Sequence, residues 1–194
     1  MTDKPRYNPA FHHRCSIRLK GYDYSQTGAY FITICAHNRE CLFGEIVGSN
    51  GIRLEMRLNE YGEIVWDEWE KSAHIRAEIE LGEFVVMPNH FHAIVLITGR
   101  GDRPVAPTKT TPPTVAPTPN GPKSKSIGAL MSGFKSAVTK RINETRATPG
   151  MPVWQRNYWE HIIRDEKSCH DIATYILNNS TQWEMDKLYP GGNP

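Results

Sequence analysis

Two histidines separated by a single residue are the first candidates for chemistry in this chain. His90 and His92 flank Phe91 in the sequence Met-Pro-Asn-His-Phe-His, at the start of a predicted strand. Because successive side chains of a strand point to opposite faces, both imidazoles should project from one face, roughly 7 Å apart along the backbone. Two neutral imidazoles at this spacing can share a divalent ion and leave other coordination positions free. The pattern equally fits two ordinary surface histidines beside a turn.

A tyrosine and an asparagine on a predicted late helix form the second candidate pair. Tyr175 falls on the flank of the apolar stripe of this helix, and Asn179 follows one turn later on the same side. A half-buried tyrosine with a hydrogen-bonding neighbour would produce the same spacing. Three nearby aromatic residues could stack on nucleobases or belong to the core: Trp154, Tyr158 and Trp159.

The hydrophobic pattern predicts the elements that must position these side chains. Period-2 and period-3.6 runs predict strands at 28–36, 42–47, 79–87 and 91–98, and helices at 59–73, 126–143 and 166–179. Asp165 should cap the last helix. The order of these elements favours an α+β fold, in which an antiparallel sheet carries helices packed on one face.

Composition narrows the class of protein. A chain of 194 residues with 39% hydrophobic and 23% charged residues is typical of a single soluble domain. No stretch approaches the roughly 20 apolar residues of a membrane helix, and no apolar run follows the N-terminal charges as in a secretory signal. Four cysteines without a CxxC pair indicate reduced thiols and a cytoplasmic location. The Pro/Thr-rich segment 101–122 cannot bury enough apolar area to order itself, so we expect a mobile loop inside the domain.

Charge is distributed unevenly along the chain. Basic residues concentrate in segments 1–20 and 123–146, and acidic residues concentrate in segment 55–83. This distribution suggests a basic face suited to a polyanion, although two solvated surfaces would give the same pattern.

Taken together and in order, these motifs resemble a known family. The matching stretches are 16–25, 28–35, 38–44, 84–92, 133–140 and 154–161. They resemble the REP-associated tyrosine transposases, within the IS200/IS605-like single-tyrosine HUH transposase family, where HUH denotes two histidines flanking a bulky apolar residue. The resemblance extends from about residue 14 to residue 183, excluding the Pro/Thr loop. One departure is that the family usually has Asn-Pro after the tyrosine helix, where this chain has Asn179-Ser180.

The resemblance implies a ferredoxin-like core, with residues 1–194 forming one IS200-like transposase domain. It implies a metal-dependent enzyme that cleaves single-stranded DNA at hairpins through a 5′-phosphotyrosyl intermediate and then transfers the strand. Carried over residue by residue, Tyr175 is the nucleophile, and His90, His92 and Asn179 bind Mg²⁺ or Mn²⁺. Residues predicted to contact DNA are Arg14, Arg18, Lys20, Lys135, Lys140 and Arg141.

Other readings of the same residues remain open. A monomer is favoured over a homodimer, and no membrane partner is expected. One alternative function is a catalytically retired protein that only binds hairpin DNA. Another is a metal-dependent phosphodiesterase that uses water, in which Tyr175 would be structural.

Overall fold

The computed structural model describes residues 22–48, 54–99 and 122–190. Three predicted DNA-contacting residues, Arg14, Arg18 and Lys20, lie outside the described residues. The predicted Pro/Thr loop also lies outside them, apart from its last residue.

The described strands are β1 (Gly28–Cys35), β2 (Gly44–Val47), β3 (Glu55–Leu58), β4 (Ile79–Met87), β5 (His90–Ile97) and β6 (Trp159–Ile163). Four of them form the central antiparallel sheet, in the spatial order β4-β5-β1-β6. The other two, β2 and β3, pair separately with each other. The predicted α+β class with an antiparallel sheet is confirmed. The sequence pattern did not predict β3 or β6, since both are short and mix polar with apolar residues.

Each α-helix among the described residues is preceded by a polar side chain that accepts hydrogen bonds from the amides of its first turn. The helices are α1 (Glu60–Ile75), α2 (Ile127–Thr145) and α3 (Glu166–Leu177), with caps at Asn59, Ser126 and Asp165. Asp165 accepts from the Ser168 amide at 2.7 Å, as the sequence predicts. α3 ends two residues before Asn179, which instead precedes a 3-10 helix at Ser180–Met185. None of the helices described here is long and apolar enough to cross a membrane.

Helices cover both faces of the sheet. α1 and α2 pack on one face, where the ring centroid of Trp69 lies 5.0 Å from that of Phe91 and 5.1 Å from that of Phe134. α3 packs on the other face through Ile176, against Phe31 and other apolar residues of the sheet. The expectation of helices on one face therefore needs a correction, because β5 alternates buried residues toward both sides and each apolar side needs cover.

Candidate active site

The alternation of β5 places His90 and His92 on the sheet face that α3 covers. Their ring centroids lie 4.5 Å apart, and both side chains are almost completely buried. They are therefore not the surface histidines that the sequence pattern left as an alternative. Burial disfavours the charged imidazolium and lowers the pKa of each ring to about 3. Both imidazoles are accordingly neutral at neutral pH.

Hydrogen bonds to Nδ1 fix the orientation of both rings. His90 Nδ1 lies 2.8 Å from Asn89 Oδ1, and the Asn89 amide in turn donates to the backbone oxygen of Leu188 at 2.8 Å. His92 Nδ1 lies 2.8 Å from the hydroxyl of Thr33 on the neighbouring strand β1. Because Nδ1 is engaged in each ring, Nε2 is the atom left for the site.

Tyr175 projects from α3 toward these rings. Its hydroxyl lies 3.2 Å from His92 Nε2 and donates to Asp186 Oδ2 at 3.0 Å. The residue is 37% exposed, so part of it faces solvent although the hydroxyl is hydrogen-bonded. Burial of the ring and the adjacent Asp186 charge raise the pKa of Tyr175 to about 12. The phenol is therefore protonated at neutral pH.

Asn179 and Asp186 complete the cluster. The Asn179 side chain is buried, and its amide nitrogen lies 3.4 Å from Asp186 Oδ2. Asp186 Oδ1 accepts from the Leu188 amide at 2.7 Å, which holds the carboxylate in a turn after the 3-10 helix. Sequence reasoning missed Asp186, since it follows Tyr175 by eleven residues and lies at the end of a 3-10 helix too short to give a recognisable hydrophobic period. An acidic residue shortly after the tyrosine helix was the sole available signal.

The donor set fits a divalent cation. Nitrogen and oxygen atoms of His90, His92 and Asp186 lie within 4.8 Å of one another. Two buried atoms, Nε2 of His90 and Oδ1 of Asn179, have no hydrogen-bond partner among the described residues. Buried polar atoms normally find a partner, so these two are arranged as ligands would be. Imidazole, carboxylate and carboxamide ligands suit Mn²⁺, and oxygen ligands suit Mg²⁺.

Comparison with known proteins supports the fold and identifies a relative. An uncharacterized protein of Haemophilus influenzae is 42% identical over 193 residues, which span 97% of this chain and 99% of that protein. The chain belongs to the same family as this protein. No protein-family model matches the chain. The solved structure of the REP-associated tyrosine transposase bound to a REP hairpin has a TM-score of 0.53 and 20% sequence identity, covering 87% of this chain and 74% of that chain. This likeness shows a shared fold.

The predicted DNA-contacting residues of α2 are not brought together with this site. They lie on the helix that covers the opposite face of the sheet. Lys135 donates to the backbone oxygens of residues 155 and 156 at 2.6 and 3.1 Å. Arg141 forms ion pairs with Asp67 and Glu68 of α1 at 3.2 and 2.7 Å. Lys140 is exposed, 3.8 Å from Glu144. Their contact with DNA remains a prediction.

The structure distinguishes the three aromatic residues for which the sequence left open whether they belong to the core or could stack on nucleobases. Trp154 is buried, and Tyr158 is half-buried against the same core cluster. Trp159, at the start of β6, is 46% exposed. Of the three, Trp159 alone is exposed.

Proposed function

We propose that this chain is a metal-dependent single-stranded DNA transposase that cleaves at DNA hairpins and transfers the strand. The observation that carries the proposal is the convergence of the hydroxyl of a partly exposed tyrosine with two neutral histidines and a carboxylate. Two further supports are the ordered motifs of the sequence and the fold shared with a transposase bound to a REP hairpin. The proposed unit is the single domain of residues 1–194, acting in the cytoplasm.

In the proposed reaction the Tyr175 oxygen attacks a DNA phosphorus atom. The bond from Oη to phosphorus forms, and the bond from phosphorus to the 3′ oxygen breaks. The products are a 5′-phosphotyrosyl enzyme and a free 3′-hydroxyl, which takes its proton from water. The phenolic proton passes to Asp186, whose Oδ2 already accepts it in a hydrogen bond of 3.0 Å. Covalent capture keeps the phosphodiester energy, so a second 3′-hydroxyl can reverse the step and rejoin strands.

Four side chains would hold the cation in this proposal: His90, His92, Asn179 and Asp186. When bound, Mg²⁺ or Mn²⁺ would stabilise the negative charge that develops on the phosphate oxygens. The low pKa values of the two histidines help, because imidazole must be neutral to act as a ligand. We favour a monomer, since one chain supplies the nucleophile and all four ligands.

A denaturing gel tests the proposed reaction against both alternatives. The protein is incubated with Mn²⁺ and an end-labelled oligonucleotide that carries a hairpin and a single-stranded foot. A labelled band that migrates with the protein after denaturation is the expected result. Cleaved DNA without that band would support the phosphodiesterase that uses water. Intact DNA, together with a shifted band on a native gel, would support the protein that only binds hairpins.

A further inference from the structure

An exposed aromatic surface lies beside the candidate active site, on the edge strand β6. Within the described residues β6 pairs with β1 alone, and Trp159 and His161 project from it two residues apart, on the face that α3 covers. Their ring planes are within 4° of parallel, with centroids 5.8 Å apart. Both residues are exposed, so the two parallel rings form an aromatic patch at the edge of the sheet.

Phe31 connects this patch to the tyrosine. The Phe31 ring contacts Trp159 edge-on at 5.6 Å, and it contacts Tyr175 edge-on at 6.3 Å. The indole is therefore separated from the proposed nucleophile by one buried ring. Trp159 is also paired with Thr33, whose hydroxyl contacts His92 of the candidate site, so a ligand lying on the indole would be on the same face as the phenol.

A basic groove lies on the other side of the sheet, beside the segment that leads into β6. This groove runs between α2 and residues 150–156, is bordered by Lys135, Lys140 and Arg156, and has no acidic side chain among its described lining residues. Single-stranded nucleic acid is bound by aromatic rings that stack on its bases and by positive charge that follows its backbone.

We propose that Trp159, supported by His161, is a stacking platform for the nucleobase next to the phosphate that Tyr175 attacks. This inference rests on the proposed function and deepens it, since it assigns a positioning residue to the single-stranded substrate. Stacking uses the face that every base possesses, so the platform would hold the strand without reading its sequence. Replacing Trp159 should weaken substrate binding about 5- to 150-fold, the effect expected for one stacked base.

Binding of a fluorescent single-stranded oligonucleotide to Trp159→Ala, Trp159→Leu and Trp159→Phe tests the platform. Trp66→Ala is the matched control, since Trp66 is 40% exposed but lies on α1, on the opposite face of the sheet. We expect weak binding by the Ala and Leu variants, recovery by the Phe variant, and wild-type binding by the control. DNA should also quench the tryptophan fluorescence of the wild type and of Trp66→Phe, but quench Trp159→Phe much less.

Abasic substitution locates the stacked base. Bases are removed from the oligonucleotide one at a time. For each oligonucleotide we compare the affinity of Trp159→Ala with that of the wild type, and the ratio is the affinity penalty of the substitution. The penalty should disappear when the missing base flanks the cleavage site, because the base and the indole contribute through the same contact. The assignment would be overturned if the affinity penalty disappears only when a base away from the cleavage site is missing, or if no missing base abolishes it.

The outcomes separate this inference from the proposed function. The platform alone would be overturned if the wild type forms the covalent adduct but Trp159→Ala binds the oligonucleotide as tightly as Trp66→Ala does. A different result is that DNA quenches the fluorescence of Trp159 while the wild type forms no covalent protein–DNA adduct. That result would show that DNA stacks on Trp159, but it would overturn both Tyr175 as the nucleophile and the position of the platform beside it. Equal loss in the Phe and Leu variants, with lowered melting temperatures, would show a structural role and overturn the platform. Absence of any binding by the wild type would overturn both.

Discussion

Replacing Asp186 with asparagine tests the metal site without opening a cavity. The amide is nearly the size of the carboxylate, and its oxygen can still accept from the Leu188 amide, now at 2.7 Å. What disappears is the negative charge among the ligand atoms of His90 and His92. Alanine at His90 would be a poorer choice, because that ring is fully buried and lies 5.7 Å from the ring of Trp183.

The expected effect is on the stability that Mn²⁺ adds to the folded protein. At a Mn²⁺ concentration of 100 times its Kd, binding to the native state stabilises the wild type by about 2.7 kcal/mol. For a domain of this size, that gain raises the melting temperature by about 5–11 °C. Removing a residue that merely orients a ligand costs up to about 100-fold in metal affinity, so losing a direct carboxylate should cost at least as much. At the same Mn²⁺ concentration Asp186→Asn should then gain only about 0.4 kcal/mol, or about 1–2 °C.

Thermal melts after EDTA treatment, with and without added Mn²⁺, measure the rise in melting temperature of the wild type and of Asp186→Asn. Asp171→Asn is the matched control, since Asp171 is an exposed residue of α3 that pairs with Lys167 at 2.8 Å. The control should respond to Mn²⁺ as the wild type does. A full response by Asp186→Asn would remove this residue from the ligand set. A wild type whose melting temperature does not change with Mn²⁺ would refute the metal site itself.

Three more predictions test the nucleophile, the Pro/Thr segment and the basic residues of α2. Tyr175→Phe keeps the ring but removes the attacking oxygen, so hairpin binding should stay normal while the adduct disappears from a denaturing gel; residual adduct would move the nucleophile, with Tyr158 the next candidate. Deleting residues 105–119 should lower the melting temperature by less than about 8 °C, because closure entropy depends only weakly on loop length; a larger drop would show that the segment packs on the domain. Lys140→Ala should flatten the salt dependence of hairpin binding by about 0.7–0.9 in log–log slope. Arg141→Ala should flatten that slope as well, and because it also breaks the ion pairs to α1 it should lower the melting temperature too; a slope equal to that of the wild type in either variant would remove that residue from the DNA contacts.

Local patterns by themselves determined several features of this protein. The alternation along β5 was sufficient to place His90 and His92 on one face, and the run at Ile79–Met87 has the predicted bounds of β4. Asp165 caps α3 because a carboxylate before a helix can satisfy its free amide groups. These features depend on residues close together in sequence, where side-chain period and backbone hydrogen bonding decide the outcome.

Only the tertiary structure decided what surrounds those residues. Tyr175 meets His92 across 83 positions of sequence, and Asp186 joins them from the end of a 3-10 helix that is too short to give a recognisable period. Arg141 shows the same dependence, since its partners on α1 become visible only when the two helices pack together. β6 was missed for a related reason: an edge strand with exposed polar and aromatic residues is stabilised by pairing with β1 rather than by a pattern of its own. The placement of α3 on the opposite face likewise follows from long-range packing, because two buried faces of one sheet must both be covered.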